Sequence, residues 1–339
     1  MKLANSIFYS LVYPSLLALA VLSVPPTVQA QQTWNAVAGA ESKDMARQVV
    51  AFLPNEIWIH AGDSITWTFA SDDIHTVTFL LASQPLPPFT VGCPGFSPSG
   101  ATFDGSTCVT APPSVKGQSF TVSFPTPGNY KLVCLVHPHM SGAIHVLDAS
   151  AALSRDQAFY DHEATDQRLA LLADDDHPEH AHHNAMGNMF SMRALSDGNN
   201  VTAGVGEMTA TPGGFQSLSV VRFLNGKHPL HAGDTVEWSN SDPAMPHTIT
   251  FGAEPANPVP PSPNVFVDPD GALHAILTSP SDSAHSGIIV AAPQNQLGVP
   301  QSPPGVTRFR ITFKQAGTYL YKCVLHDNLG MVGKLIVRP

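Results

Sequence analysis

Residues 134–140 read CLVHPHM and place a cysteine, a histidine and a methionine in one short stretch, at Cys134, His137 and Met140. A thiolate, imidazole nitrogens and a weakly bound thioether are the ligands of copper sites that transfer electrons. Such a site needs a second imidazole from elsewhere in the chain, and His75 in the stretch DDIHTVTF offers one. The sequence therefore predicts a copper site with these four ligands.

The same pattern occurs again near the C-terminus. Residues 323–331, CVLHDNLGM, offer Cys323, His326 and Met331, and His247 in MPHTITF is the matching distant histidine. One such pattern would be weak evidence, because a single buried cysteine or histidine is more often structural than a ligand. Two complete sets in the same order strongly favour metal binding. Zinc is the chemical alternative, but structural zinc favours four strong donors and methionine is a poor one.

Longer matches indicate that a whole domain is duplicated. HAGDSITW at residues 60–67 returns as HAGDTVEW at residues 231–238, an offset of 171. FTVSF at residues 120–124 returns as FRITF at residues 309–313, an offset of 189, so the second copy contains a longer loop. A chain of 339 residues is also long enough for about two domains.

Both halves resemble the cupredoxins, the family of small blue copper proteins. The first copper loop, Cys-x2-His-x2-Met, is similar to that of amicyanin, and the second, Cys-x2-His-x4-Met, is similar to that of plastocyanin. The similarity covers roughly residues 35–148 and 199–339. It implies an all-β protein of two Greek-key antiparallel β-sandwich domains, each with one type 1 copper site. It also implies one-electron transfer between a donor and an acceptor redox protein.

The sequence pattern agrees with sandwiches. Short runs of alternating apolar and polar residues are separated by turn signals, without a helical period, and this is typical of antiparallel sheets. In residues 120–124, for example, Phe120, Val122 and Phe124 share one face of the predicted strand. We expect the two domains at residues 31–149 and 199–339.

Residues 1–30 are predicted to be a signal peptide. Lys2 provides a positive start, residues 7–24 are apolar, and Val28-Gln29-Ala30 is a small-x-small cleavage site. An uncleaved membrane anchor is the alternative, since the apolar run approaches the length of a span. Prolines within and just after the run favour cleavage, so we expect a periplasmic or secreted protein without a membrane segment in its mature form.

Cys93 and Cys108 lie in a loop at residues 80–119 that is rich in proline, glycine and serine. Two cysteines so placed are expected to form a disulfide in an oxidising compartment. The alternative is a pair of free thiols.

Residues 150–198 are predicted to be a helical linker that ends in a tract rich in histidine and methionine. Ser154 followed by Gln157 resembles a capping box, and a helix over residues 150–173 would bridge the domains. Imidazoles suit Cu(II) and thioethers suit Cu(I), so the tract is a possible accessory copper site; its alternative is a polar linker without a ligand. The tract residues are His177, His180, His182, His183, Met186, Met189 and Met192.

The formal net charge of −10 argues against nucleic-acid binding and for a surface that docks a basic redox partner. Copper storage or delivery is the alternative function, and the His/Met tract supports it. A copper oxidoreductase is disfavoured: the oxidases and nitrite reductases that this architecture resembles carry a histidine next to the copper cysteine. Here Val133 and Leu135 flank the first cysteine, and Lys322 and Val324 flank the second. The sequence leaves the oligomeric state open.

Three finer expectations concern the surroundings of the ligands. His139 is expected to face solvent and not to bind the metal. An aspartate precedes each distant histidine, at Asp73 and Asp242, and we expect it to orient the histidine-bearing strand. The second copper loop is two residues longer and contains Gly330, so we expect its site to be the more adaptable.

Overall fold

The computed structural model describes residues 31–137, 139–172, 199–225, 229–291 and 307–339. From Gln31 to Pro339 the chain forms one compact unit. The predicted signal peptide, Pro138 of the first copper loop and the seven residues of the His/Met tract lie outside the described residues, and their roles stay predictions.

The described residues form 21 strands and one α-helix. Strands of the first half are β1 (Thr33–Glu41), β2 (Arg47–Leu53), β3 (Glu56–His60), β4 (Ser64–Phe69), β5 (Thr78–Phe79), β6 (Ala101–Thr102), β7 (Val109–Thr110), β8 (Ser119–Ser123), β9 (Gly128–Val133) and β10 (Ser141–Leu147). The helix is α1 (Gln157–Leu172). Strands of the second half are β11 (Asn200–Thr211), β12 (Gly214–Asn225), β13 (Leu230–His231), β14 (Thr235–Ser241), β15 (Thr250–Phe251), β16 (Phe266–Val267), β17 (Leu273–Leu277), β18 (Ala284–His285), β19 (Arg308–Phe313), β20 (Gly317–Lys322) and β21 (Val332–Arg338).

Each half is a two-layer β-sandwich, as expected. In the first half, one layer has the order β3-β10-β9-β5-β7 and the other contains β2, β1, β4, β8 and β6. The apolar side chains of alternating strand positions meet between the layers, and Phe120, Val122 and Phe124 are all buried there. Most neighbouring strands are antiparallel. Strands β1 and β4 are parallel because the chain crosses to the other layer after β2, forms β3 there, and returns to form β4 beside β1. The second half repeats the arrangement, with the layer β13-β21-β20-β15-β18.

The two sandwiches share one sheet. Strand β12 of the second half pairs antiparallel with β2 of the first, with Ser217 opposite Val50 and Leu218 opposite Val49. The N–H of Val221 continues this ladder by donating to the carbonyl of Ala46 at 2.9 Å. The result is a continuous 11-stranded sheet across both domains. The domains are therefore joined by main-chain hydrogen bonds as well as by the helical linker.

Helix α1 lies within the predicted helical segment and packs on β1, β2 and β12, so it contacts both domains. The capping-box prediction is wrong: the Asp156 carboxylate accepts the hydrogen bond from the Phe159 N–H, so Asp156 is the N-cap instead of Ser154. The Gln157 side chain instead accepts from the Asn35 N–H and donates to its carbonyl, which ties the helix to β1. No helix in the described part of the chain is long and apolar enough to cross a membrane.

Cys93 and Cys108 form the predicted disulfide, with their Cα atoms 5.6 Å apart. It closes a loop with a sequence separation of 15 residues, which lies between β5 and β7 and contains β6. In the chain-entropy model such a closure contributes about 3 kcal/mol to stability, because it restricts the unfolded chain.

Replacing both cysteines by serine is therefore expected to lower the free energy of unfolding by about 3 kcal/mol. Chemical denaturation of the metal-free protein measures this change, since bound metal would add its own stabilisation. The unaltered protein treated with a thiol reductant is the control and should show the same loss. An unchanged denaturation midpoint in the double variant would contradict the prediction.

Candidate metal centres

The first ligand set is assembled by a hairpin and a neighbouring strand. Cys134 directly follows β9 and Met140 directly precedes β10, so the loop between these paired strands carries three of the predicted ligands. The Cys134 N–H donates to the Met140 carbonyl at 3.0 Å, and the Met140 N–H donates to the His137 carbonyl at 2.9 Å. Strand β5 pairs with the end of β9, and His75 lies three residues before Thr78, the first residue of β5. The pairing thus places His75 beside the loop.

The second set is built in the same way on the hairpin of β20 and β21. Cys323 follows β20 and Met331 precedes β21, and the Cys323 N–H donates to the Met331 carbonyl at 3.1 Å. This loop is two residues longer than the first and contains a 3-10 turn over Asp327–Leu329. Gly330 ends the turn with a φ of 88°, a left-handed conformation that favours glycine. His247 lies three residues before β15, which pairs with β20.

Three donor atoms converge in each set. In the first, the Nδ1 atoms of His75 and His137 are 3.2 Å apart, and His137 Nδ1 is 3.8 Å from the Cys134 sulfur. In the second set the Nδ1 atoms of His247 and His326 are also 3.2 Å apart. His326 Nδ1 lies 3.5 Å and His247 Nδ1 3.9 Å from the Cys323 sulfur. Donors bound to one metal ion at about 2.0–2.3 Å, at angles between tetrahedral and trigonal, lie roughly 3.3–4 Å from one another, close to these distances. Both sets therefore fit one metal ion each.

The donors are shielded from water. Both cysteines, both distant histidines and both methionines are fully buried, and the loop histidines His137 and His326 are 1% and 3% exposed. A thiolate, two imidazoles and a buried thioether are the donor set of electron-transfer copper. Within the described residues, these are the only two groups of histidine, cysteine and carboxylate side chains placed to hold a metal.

His139 belongs to neither group. Its side chain is partly buried, and its ring lies edge-on to Phe215 of the second domain with the ring centres 6.5 Å apart. The expectation that it faces solvent therefore holds only in part, because the second domain covers one side of the loop.

The environment of each sulfur favours the thiolate. Burial alone raises the pKa of Cys134, but contacts with His137 and His75 outweigh it and lower that pKa well below the usual range. The pKa of Cys323 is lowered in the same way, against burial, by the charge of His326 and the contact with His247. A thiolate is the form that binds metal, so less proton release has to accompany metal binding at these cysteines.

A threonine follows each distant histidine and supports the sulfur, which the ligand pattern alone did not reveal. The N–H of Thr76 donates to the Cys134 sulfur at 3.4 Å, and the N–H of Thr248 donates to the Cys323 sulfur at 3.3 Å. Each threonine hydroxyl accepts from the N–H of the residue after the cysteine, at 2.8 and 2.9 Å. Hydrogen bonds to the sulfur tune a copper site's potential. The repeat of HTVTF as HTITF was the available signal in the sequence.

One glycine in the first strand of each domain makes room for the distant histidine of that domain. A side-chain carbon on Gly39 would lie 2.4 Å from His75 Nε2, and one on Gly204 would lie 2.1 Å from His247 Nε2. Both glycines have a positive φ, 71° and 77°, which also disfavours other residues. The imidazoles are thus held by direct contact with the backbone of β1 and β11.

The two aspartates have different roles. Asp242 accepts hydrogen bonds from the N–H groups of Ala244 and Met245, so it shapes the turn before its histidine, in line with the expectation. Asp73 lies beside ring nitrogens of three histidines, His75 and His137 of the first set and His326 of the second. Burial raises the pKa of Asp73, but the charge of His137 outweighs it and the pKa is lowered below its usual range.

Comparison with known proteins connects this geometry to a family. Residues 216–338 match the model of the copper-binding proteins of the plastocyanin/azurin family, and the matched range contains all four residues of the second ligand set. Most of the second half of the chain is therefore similar to this family of copper-binding proteins.

Solved structures of amicyanin variants are also similar to the chain. One reduced variant is 20% identical over 34% of this chain and 82% of its own length, with a TM-score of 0.23. An oxidised variant is 19% identical over 34% of this chain and 81% of its own, with a TM-score of 0.23. A second reduced variant is 18% identical over 35% of this chain and 86% of its own, with a TM-score of 0.24. Both halves are sandwiches by their own strand order, and TM-scores this low add nothing to that.

Proposed function

We propose that this protein is an exported electron carrier with two type 1 copper sites, one in each domain. The first site consists of His75, Cys134, His137 and Met140. The second consists of His247, Cys323, His326 and Met331. Copper bound in these sites would supply the one-electron couple between Cu(II) and Cu(I).

The observation that carries this proposal is the convergence of two imidazole nitrogens and one sulfur at each buried centre. The chain itself holds these donors. Strand pairing fixes the cysteine, the loop hydrogen bonds fix the methionine, and the close glycine fixes the distant imidazole. Since the ligands cannot move far, a change of oxidation state requires little rearrangement. A rigid ligand set favours fast electron exchange.

The surroundings of the cysteines favour a carrier over an oxidase or nitrite reductase. The residues next to Cys134 and Cys323 are apolar or lysine, so neither cysteine has the neighbouring histidine of those enzymes. The proposal of export rests on the signal-like residues 1–30. The proposal of a basic redox partner rests on the acidic composition of the chain.

A kinetic experiment tests the proposal against copper storage or delivery. The copper-loaded protein is reduced with ascorbate, mixed with hexacyanoferrate(III) in a stopped-flow instrument, and cycled repeatedly in the presence of a Cu(I) chelator. A carrier is expected to exchange electrons rapidly and to retain its copper through many cycles. Loss of copper to the chelator on the timescale of one redox cycle would favour delivery. Absence of copper binding would overturn both functions.

A further inference from the structure

The two candidate centres face each other across the domain boundary. In each set the Nδ1 atoms point to the shared donor cluster, so the Nε2 atom of each loop histidine points away from it. His137 Nε2 lies 3.2 Å from one oxygen of the Asp73 carboxylate, and His326 Nε2 lies 3.8 Å from the other. A single carboxylate of the first domain thus separates the loop imidazoles of both domains.

This carboxylate is buried, and one of its oxygens is hydrogen-bonded. Asp73 is 5% exposed, and its Oδ1 accepts the N–H of Ile74 at 2.8 Å. The docking of the second loop is fixed from the other side by Arg222, which donates to the carbonyl of Leu329 and to the carbonyl of Asp44, both at 2.8 Å. The relative position of the two centres is therefore set by the polar contacts of Arg222 and by the shared sheet.

Because the Asp73 carboxylate is buried, its charge acts strongly on the neighbouring groups. Charges in a poorly hydrated interior are screened much less than charges on the surface. One negative charge in contact with both imidazoles stabilises the more positive oxidised metal at each centre. Because the Asp73 carboxylate lies beside both centres, the charge at one centre also influences the other.

We propose that Asp73 is a positioning residue shared by both copper centres, and that the two centres form a coupled pair in which the oxidation state of one changes the potential of the other. This proposal rests on the proposed function, because it requires copper in both sites. By linkage, the effect of the first centre on the second equals the effect of the second on the first.

The test measures the midpoint potential of each centre separately by voltammetry at one fixed pH. Cys323→Ser leaves only the first centre able to form a type 1 site, and Cys134→Ser leaves only the second. Adding Asp73→Asn to each background keeps an oxygen that can accept from Ile74 but removes the charge. Outer partners of metal ligands typically change affinity by 10–100-fold, so the preference for Cu(II) over Cu(I) should fall by about tenfold at each centre. A tenfold change corresponds to about 59 mV toward positive potential for one electron.

Asp72→Asn is the matched control, because it removes the same charge from the adjacent residue, which contacts neither loop histidine in the described structure. It is expected to leave both midpoints nearly unchanged. A shift of the first centre alone after Asp73→Asn, or of neither centre, would overturn the shared role. Equal shifts with Asp72→Asn and Asp73→Asn would overturn it as well, because they would reflect net charge alone.

A second measurement needs no change at Asp73. The redox titration of the unaltered two-copper protein should differ from the sum of the titrations of the two single-site variants, because each copper senses the charge of the other. If the sum reproduces the titration of the intact protein, the centres are independent and the coupling is refuted. If the proposed function itself is wrong, the result is different, because a protein without type 1 copper would show no midpoint potentials at all.

Discussion

Replacing Cys134 by serine removes the thiolate-to-copper absorption of the first centre and leaves the second centre intact, so about half of the visible absorption is lost, since both donor sets are alike. The absorption arises from charge transfer between the cysteine sulfur and copper, and a serine oxygen does not supply it. The two sulfurs lie in separate hairpins, and each contacts the loop histidine of its own set.

Visible absorption and metal analysis of the copper-loaded variants measure the result. Cys323→Ser is the matched variant and should remove the other half of the absorption. The double variant should be colourless. Loss of all colour from one single replacement, or of none, would show that the chain does not contain two separate type 1 sites.

A single added methyl group should disable the second centre as severely. Gly204→Ala places a carbon 2.1 Å from His247 Nε2, and the imidazole is fully buried and cannot move aside. We expect the copper affinity of the second centre to fall by about 10–100-fold or more, the range found when the support of a metal ligand is removed. The first centre should keep its absorption.

Gly233→Ala is the control, since Gly233 also has a positive φ, 103°, but a side-chain carbon there would meet nothing within 4 Å. It reproduces the backbone strain without the collision, and it should leave the copper affinity unchanged. Competition titrations with a chelator of known affinity measure both variants. Equal losses in the two variants would attribute the effect to strain and not to contact with the histidine.

Much of the fold and the ligand pattern could be predicted from the sequence because the information is local. The spacing of Cys134, His137 and Met140 corresponds to one hairpin loop, and alternation of apolar residues reveals which strand faces are buried. The repeated stretches HTVTF and HTITF identified the distant histidines of both sets, because the second copy shows which residues recur. The disulfide followed from two cysteines in one loop.

Predictions from short stretches of sequence were less accurate where a residue contacts a part of the chain that is far away in sequence. The longer second loop was expected to be the more adaptable, and this stays a prediction. The sequence did not reveal that Arg222 donates to the carbonyl of Leu329 in this loop. The helix cap was assigned to Ser154, while the Gln157 side chain is engaged with Asn35, 122 residues away in sequence. Both results follow from contacts that sequence spacing does not encode.

By itself, the sequence determined the class of fold, its duplication and a consistent set of candidate ligands. Only the tertiary structure decided how the two domains are arranged: β12 adds to β2, and Asp73 comes to lie between His137 and His326. The physical reason is that strand pairing uses main-chain groups, which every residue except proline carries in full, so the sequence does not specify which edge strands meet. The position of one buried carboxylate between two domains follows from that pairing.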